Sequence, residues 1–320
     1  MKSIVQERYG CGAELAVADV EPPTVGAGQV LVRVRAAGVD QGVWHLTTGL
    51  PYLVRLGTGL RRPRNPVPGR DLAGQVLAVG ASVTGFAVGD EVYGTTSGSY
   101  AEQVLASPDR LARKPSTLDL AQAAAIPVSG QTALKAVQGV AAGQLVLVIG
   151  AGGGVGTFAV QLAVARGAQV TGLCSASKHD LVRSLGAHDV IDYAHEDVDA
   201  RGRRYDVIID TAGNRPVATL RRALLPGGTV ALVGGEAHQG RWLQGFGRQL
   251  GAPLLSPLVE HRLVAVMAGE RSQHLEELTR LVEAGQLTPA LDRTFTLAQV
   301  PEAIAYLRAG RARGKVVITL

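Results

Sequence analysis

Between residues 30 and 36 apolar and charged side chains alternate as Val-Leu-Val-Arg-Val-Arg-Ala, a period of two that predicts a half-exposed strand. Leu72 to Gly80 reads as a second strand of the same kind. The stretch Gly89-Asp90-Glu91-Val92-Tyr93-Gly94, then Gly98-Ser99-Tyr100 and Ala101 to Leu105, continues the rhythm of short strands and tight turns. The first part of the chain, up to Lys114-Pro115, therefore predicts a small, mostly β domain. After that point the apolar spacing becomes helical. It predicts one helix from Ser116 as N-cap through Ala125 and a second from Pro127 to Val140. From Gln144 strands at Leu145 to Ile149, Gln169 to Leu173, Val190-Ile191, Val207 to Asp210 and Thr229 to Val233 alternate with helices at 155–166, 178–185 and 216–225. Repeated β-α-β units imply an α/β fold with a doubly wound parallel sheet and right-handed crossovers. Residues 236–270 are less regular. A helix at 273–284, the stretch Leu287 to Leu297, a helix at 299–309 and a closing strand from Lys315 to Leu320 complete the chain.

The strongest chemical signal is the apolar strand Leu145-Val146-Leu147-Val148-Ile149 running into Gly150-Ala151-Gly152-Gly153-Gly154-Val155-Gly156 and then a helix. A helix N-terminus offers unpaired N–H groups and a favourable dipole, and glycines let backbone come close to a pyrophosphate. The literal G-x-G-x-x-G is missed, because the third residue after Gly152 is Val155. Its strand-before, helix-after setting nevertheless predicts dinucleotide binding by Gly150, Gly153, Gly154, Val155 and Gly156. About twenty residues on, an NAD site should carry an acid for the ribose 2′-hydroxyl. Here the chain reads Leu173-Cys174-Ser175-Ala176-Ser177-Lys178, with no acid before Asp180. The hydroxyls of Ser175 and Ser177 and the Lys178 ammonium suit a 2′-phosphate, which predicts NADPH over NADH. The plainer alternative is a solvent-facing turn with Lys178 opening a helix.

Composition narrows the class. With 320 residues, 46% hydrophobic and 18% charged, the chain is a folded protein of about two domains and not a disordered or disulfide-stapled one. Its 41 glycines fit many tight turns. The net charge of +5 is spread along the chain among 27 acids and reads as a slightly basic solvated surface, which argues against a nucleic-acid partner. Cys11 and Cys174 are far apart with no C-x-x-C, so neither a disulfide framework nor a structural zinc site is expected. The charged start and the lack of any run of 18 apolar residues predict a cytoplasmic protein without a membrane span.

Five segments, in this order, carry a resemblance: Pro68-Gly69-Arg70-Asp71-Leu72-Ala73-Gly74, Val88-Gly89-Asp90-Glu91-Val92, Ser99-Tyr100-Ala101-Glu102, Gln131-Thr132-Ala133 and the glycine turn. Over nearly its whole length the chain resembles the medium-chain dehydrogenase/reductase superfamily, particularly its zinc-free quinone oxidoreductase branch. The resemblance implies a Rossmann domain, placed at 121–286, inserted into a GroES-like β-rich catalytic domain built from 1–120 and 287–320. The active site is then expected in the interdomain cleft. It further implies Thr132 on the nicotinamide side, Lys178 and Tyr193 at the 2′-phosphate, and Val233, Gly234 and Gly235 at the nicotinamide ribose and carboxamide. A homodimer formed through an edge strand near Leu263 to Met267 is expected by the same analogy.

The zinc-dependent relatives hold their metal by a Cys after an early Gly-Val, a His in Gly-His-Glu, and a further Cys or equivalent. The matching positions here are Asp40, Arg70 and the Cys-free stretch Ile126 to Gly130, and the four-cysteine lobe is missing. No metal is expected, since zinc prefers thiolate or imidazole ligands in a tetrahedral set. Hydrogen bonds must then polarise the acceptor, and the segment Gly38 to His45 becomes the candidate catalytic loop, with Asp40 at its start. His45 stands five residues after Asp40, where relatives often carry a proton-relay His or a Tyr; a packed or surface His beside Trp44 is the alternative. Tyr52 is a second donor candidate. The usual Asn-Pro-x-Asp is replaced by Asp40-Gln41-Gly42-Val43, which points to a specialised substrate. Trp44, Tyr52, the loop Arg55 to Asn65, Arg241 and Trp242 are the candidate pocket lining. The leading expectation is an NADPH-dependent reductase delivering hydride to a quinone or to the β-carbon of an enone. A zinc-free alcohol/ketone oxidoreductase or biosynthetic tailoring enzyme is the runner-up, and a non-catalytic RNA-binding or structural protein on the same fold is a minor alternative.

Overall fold

A computed structural model describes residues 1–10, 12–234, 240–243, 246–267 and 269–320; Cys11 and Gly235 lie outside the described residues. In chain order the strands are β1 (Lys2–Val5), β2 (Ala16–Asp19), β3 (Val30–Val39), β4 (Asp71–Val79), β5 (Glu91–Thr95), β6 (Gln103–Ala106), β7 (Leu111–Arg113), β8 (Leu145–Ile149), β9 (Gln169–Cys174), β10 (Asp189–Asp192), β11 (Tyr205–Asp210), β12 (Leu224–Leu232), β13 (Arg262–Ala265), β14 (Leu291–Thr296) and β15 (Lys315–Thr319). The helices are α1 (Gln41–Thr48), α2 (Arg55–Thr58), α3 (Leu120–Ala124), α4 (Pro127–Ala136), α5 (Gly154–Ala165), α6 (His179–Ser184), α7 (Val217–Arg222), α8 (Phe246–Leu255), α9 (Ser272–Glu283) and α10 (Val300–Arg308).

Two units partition the chain, Met1–Gln131 with Glu270–Leu320, and Thr132–Gly269. The first is built on a sheet in the order β14-β15-β3-β4-β5-β7, with β6 also pairing β3; β14 and β15 run parallel and the other pairs are antiparallel. β3 alternates Val30, Val32 and Val34 inward with Arg33 and Arg35 outward, as period two requires, and then becomes continuously buried from Ala36. Its core joins these valines to Leu72, Val76 and Val92 and, from the other end of the chain, to Phe295, Ile304 and Val316.

The second unit is a six-stranded, all-parallel sheet in the order β10-β9-β8-β11-β12-β13. Its central strands are buried on both faces, which is why β8 reads as an unbroken apolar run. The order reverses between β8 and β11, the position at which open α/β sheets bind ligands beyond their carboxyl ends.

Several sequence expectations change. The first helix begins at Leu120, not after Ser116: the Asp119 carboxylate accepts the Gln122 N–H at 2.7 Å and the Gln122 side chain accepts the Asp119 N–H at 3.0 Å, a reciprocal cap that outcompetes the lone Ser116 hydroxyl. The second helix stops at Ala136. The stretch expected to be irregular holds α8 and β13; Gly247 and Gly251 obscure the helical period there. Residues 121–131 and 270–286, placed in the Rossmann part by the sequence, cluster with the first unit. The reason is visible at α9: Leu275 and Leu278 are fully buried, and the Tyr93 hydroxyl on β5 donates to the Leu275 carbonyl at 2.6 Å.

Candidate dinucleotide and acceptor sites

In the second unit, β8 delivers the chain to Gly150 with φ +78°, a value that favours glycine, and a methyl group there would fall 2.4 Å from Thr211 Oγ1. Gly153 is the N-cap of the twelve-residue α5 and supplies no side-chain cap. The first-turn N–H groups of α5 therefore have no acceptor within the helix or from a capping side chain. At Gly156 a Cβ would lie 2.1 Å from the Gly150 carbonyl oxygen, so only glycine lets helix and turn approach so closely. Gly150 and Ala151 donate their N–H groups to the Leu173 carbonyl, pinning the turn to β9. This is a cradle for an anion, and the pyrophosphate of a dinucleotide fits it.

Beyond β9, Ser175 and Ser177 face each other with hydroxyls 3.2 Å apart, and the Lys178 side chain lies against the cradle: a methyl on Gly152 would come within 2.7 Å of Lys178 Cδ. Ser175, Ser177 and Lys178 thus gather beside the glycine turn, as the sequence suggested. Tyr193, just after β10, is exposed. One acid not weighed in the sequence reading, Asp192, ends β10 beside them; its carboxylate accepts the Ala194 N–H at 3.0 Å and lies 3.8 Å from His195. Cys174 is buried, and desolvation pushes its thiol up to about 11, against the pull of Lys178, so it is no nucleophile at neutral pH.

On the other half of the sheet edge, the Val233 and Gly234 N–H groups donate to the Asp210 carbonyl, which draws the 233–234 turn onto the end of β11. Thr132 is buried in α4. Arg241 and Trp242 are exposed, Trp242 at 75%.

In the first unit, the expected loop is the end of β3 and the first turns of α1. Asp40 is the N-cap: its Oδ1 accepts the Val43 N–H at 3.1 Å, and its buried Oδ2 has no partner among the described residues. His45 is buried in α1, its Nδ1 2.5 Å from the Leu50 carbonyl oxygen. A carbonyl can only accept, so Nδ1 carries the proton. Trp44 packs edge-on to His45 at 5.0 Å, and its face is covered by Arg308 at 3.9 Å. Arg55 lies between the rings of Tyr52 and Tyr9, at 4.7 and 4.4 Å, and donates from Nε to the Gly49 carbonyl at 2.9 Å. The 49–50 turn therefore joins His45 and Tyr52 through Leu50 and Arg55.

The positions where zinc-dependent relatives carry ligands are spoken for. Arg70 pairs with Glu270, and a methyl on Gly42 would lie 2.7 Å from both Arg70 Nη1 and Asp40 Oδ1. Asp71, next to Arg70, is fully buried: Oδ1 accepts the Val128 N–H at 2.8 Å at the start of α4, and Oδ2 accepts from Lys315 Nζ at 3.0 Å. Lys315 Nζ also reaches Ser129 Oγ at 3.2 Å. Desolvation pushes the Asp71 carboxyl above its usual range, and Lys315 pulls it partway back. A carboxylate at Asp40 and a guanidinium at Arg70, in place of thiolate and imidazole, do not fit zinc. Among the described residues no group of three or more His, Cys, Asp and Glu is arranged to hold a metal.

Residues 26–116 match the alcohol dehydrogenase GroES-like domain, and residues 185–318 match a family described as zinc-binding dehydrogenase. The chain is 32% identical to 2-methylene-furan-3-one reductase of Solanum lycopersicum, covering 94% of this chain and 74% of that protein. It is 30% identical to the quinone-oxidoreductase QR1 of Triphysaria versicolor, covering 99% and 98%. The chain belongs to the medium-chain dehydrogenase/reductase superfamily. Within it this oxidoreductase falls in the quinone oxidoreductase-like branch, and the solved quinone oxidoreductase of Coxiella burnetii superposes with a TM-score of 0.88 at 27% identity, covering 100% and 99%. The matched family's description names zinc, whereas this enzyme's residues at the corresponding positions do not suit it. No described helix of the enzyme is long and apolar enough to cross a membrane.

Proposed function

We propose that this enzyme is an NADPH-dependent, zinc-independent reductase of quinones or α,β-unsaturated carbonyls. The observation that carries the reading is the uncapped N-terminus of α5 with Ser175, Ser177 and Lys178 gathered against the glycine turn. Gly150, Gly153, Gly154, Val155 and Gly156 would hold the pyrophosphate, and Ser175, Ser177, Lys178 and Tyr193 the 2′-phosphate. Thr132, Val233, Gly234 and Gly235 would meet the nicotinamide half. The bound dinucleotide supplies hydride. The chain's own part is to bind, orient and polarise. Developing negative charge on the acceptor oxygen calls for a donor, and His45 and Tyr52 are the candidates. With Nδ1 engaged by Leu50, a proton passed on from Nε2 requires the imidazolium form of His45. Trp44, Arg241 and Trp242 belong to the substrate side of the proposal, and Asp40 acts by capping the helix that carries His45. The related furanone reductase and quinone oxidoreductase support a conjugated carbonyl acceptor.

Steady-state kcat/KM with NADPH and NADH over a quinone and enone panel tests this, with product analysis for C=C against C=O reduction. A marked preference for NADPH with saturated-ketone or hydroquinone products is expected. Equal use of both cofactors, or alcohol products alone, refutes the corresponding part. A homodimer through β13, the terminal strand of its sheet with exposed Met267 following it, and residence in the cytoplasm complete the proposal. Sedimentation at micromolar concentration checks the former and fractionation of the native host the latter.

A further inference from the structure

Asp210, the last residue of β11, is fully buried and gathers the carboxyl edge of the parallel sheet. Its Oδ1 accepts the Gly213 N–H at 2.9 Å, its Oδ2 accepts from Arg248 Nη2 at 2.7 Å, and its carbonyl accepts the N–H groups of Val233 and Gly234 at 2.9 and 3.1 Å. The next residue, Thr211, donates both N–H and hydroxyl to the Ile149 carbonyl, at 3.1 and 2.7 Å. Three turns, at 150–156, 211–213 and 233–234, are therefore tied to one buried carboxylate residue and its neighbour. α8 adds a second grip, since Gln249 Nε2 donates to the Val233 carbonyl at 2.8 Å.

Arg248 is more than a counter-charge for Asp210. Among the described residues its buried Nε and Nη1 have no acceptor. A lysine would neutralise Asp210 with fewer unmet groups, whereas a planar guanidinium fixes the carboxylate's orientation. The two turns bonded to Asp210 itself, 211–213 and 233–234, belong to the β11-β12-β13 half of the sheet, on the far side of the switch point from Ser175 and Lys178.

We propose that Arg248 is a positioning residue for the nicotinamide half of the bound dinucleotide, acting through Asp210 to hold the 211–213 and 233–234 turns. The inference rests on the dinucleotide reading above. It is tested by titration calorimetry of the full chain and its R248K and R248Q variants with NADPH and with adenosine 2′,5′-bisphosphate, which carries only the adenosine half. Loss of an oriented, charge-assisted contact should raise the NADPH Kd about fivefold or more in both variants. Adenosine 2′,5′-bisphosphate binding should stay within about twofold, and R248K, which keeps the charge, should melt within about 2 °C of the parent without ligand. An unchanged NADPH Kd in R248K overturns the inference, as does parallel weakening of both ligands, the signature of a merely structural role. Should R248Q fail to fold, R248K decides alone. If the parent binds neither ligand, the dinucleotide reading falls and takes the inference with it; if the parent binds both and only the variants disagree, the inference alone falls.

Discussion

Replacing Lys315 with Met removes the cation facing Asp71 while keeping most of the side chain's length. Both partners are essentially sealed from solvent, Lys315 at 1% and Asp71 at 0% exposure, so the orphaned carboxylate cannot recover its lost partner from water. Breaking a buried ion pair by removing one partner costs about 3–5 kcal/mol. For a unit of this size each kcal/mol moves the melting temperature by roughly 2–4 °C, so K315M should unfold roughly 6–20 °C earlier at neutral pH. The loss should depend on pH in a defined sense. Burial already raises the Asp71 carboxyl in the folded state, and Lys315 opposes that rise. Without Lys315 the carboxyl rises further, the folded chain binds protons more readily than the unfolded one, and stability falls as pH increases through the native titration. The deficit of K315M should therefore be largest at neutral pH and shrink as pH falls and Asp71 protonates. The double variant D71N/K315M removes the charge while an amide oxygen can still accept the Val128 N–H, so it should melt well above K315M. Thermal unfolding followed by circular dichroism from pH 4.5 to 8 measures all of this. A shift under about 2 °C, a deficit that grows on acidification, or a double variant no better than K315M would refute the reasoning.

His45→Ala should lower kcat by about 100-fold or more if the imidazolium transfers the proton, with KM for NADPH little changed; an unaltered stopped-flow hydride-transfer rate removes it from the reaction. Lys178→Ala should raise KM for NADPH by about tenfold or more while leaving NADH kinetics unmoved, because only the 2′-phosphate needs the ammonium; equal losses with both cofactors contradict the assignment. Prolonged EDTA dialysis should leave activity intact and elemental analysis should find no stoichiometric zinc, and loss of activity restored by added zinc would overturn zinc independence.

Much of the proposed dinucleotide site could be drawn from the sequence because its elements are local. A glycine turn, the strand before it and the helix after it occupy contiguous residues, and Ser175, Ser177 and Lys178 follow one strand later. The first-unit residues were less legible. From the sequence His45 could be a proton donor or a packed or surface imidazole, and only the fold brings the Leu50 carbonyl to its Nδ1 and Arg55 over the ring of Tyr52. Asp71 and Lys315 stand 244 positions apart, and no pattern near either residue announces the other. The same holds for Asp210 and Arg248, the latter in a helix whose glycines concealed it.

By itself the sequence determined the alternation of strands and helices, the parallel sheet and the glycine turn that opens α5, because hydrophobic period and glycine placement act within a few residues of themselves. The tertiary structure decided where the chain divides, which helix start wins, which tautomer His45 adopts and which buried charges neutralise each other. Those outcomes depend on groups that desolvation forces together from distant parts of the chain, and a buried charge or donor is settled only by whatever partner the fold brings to it.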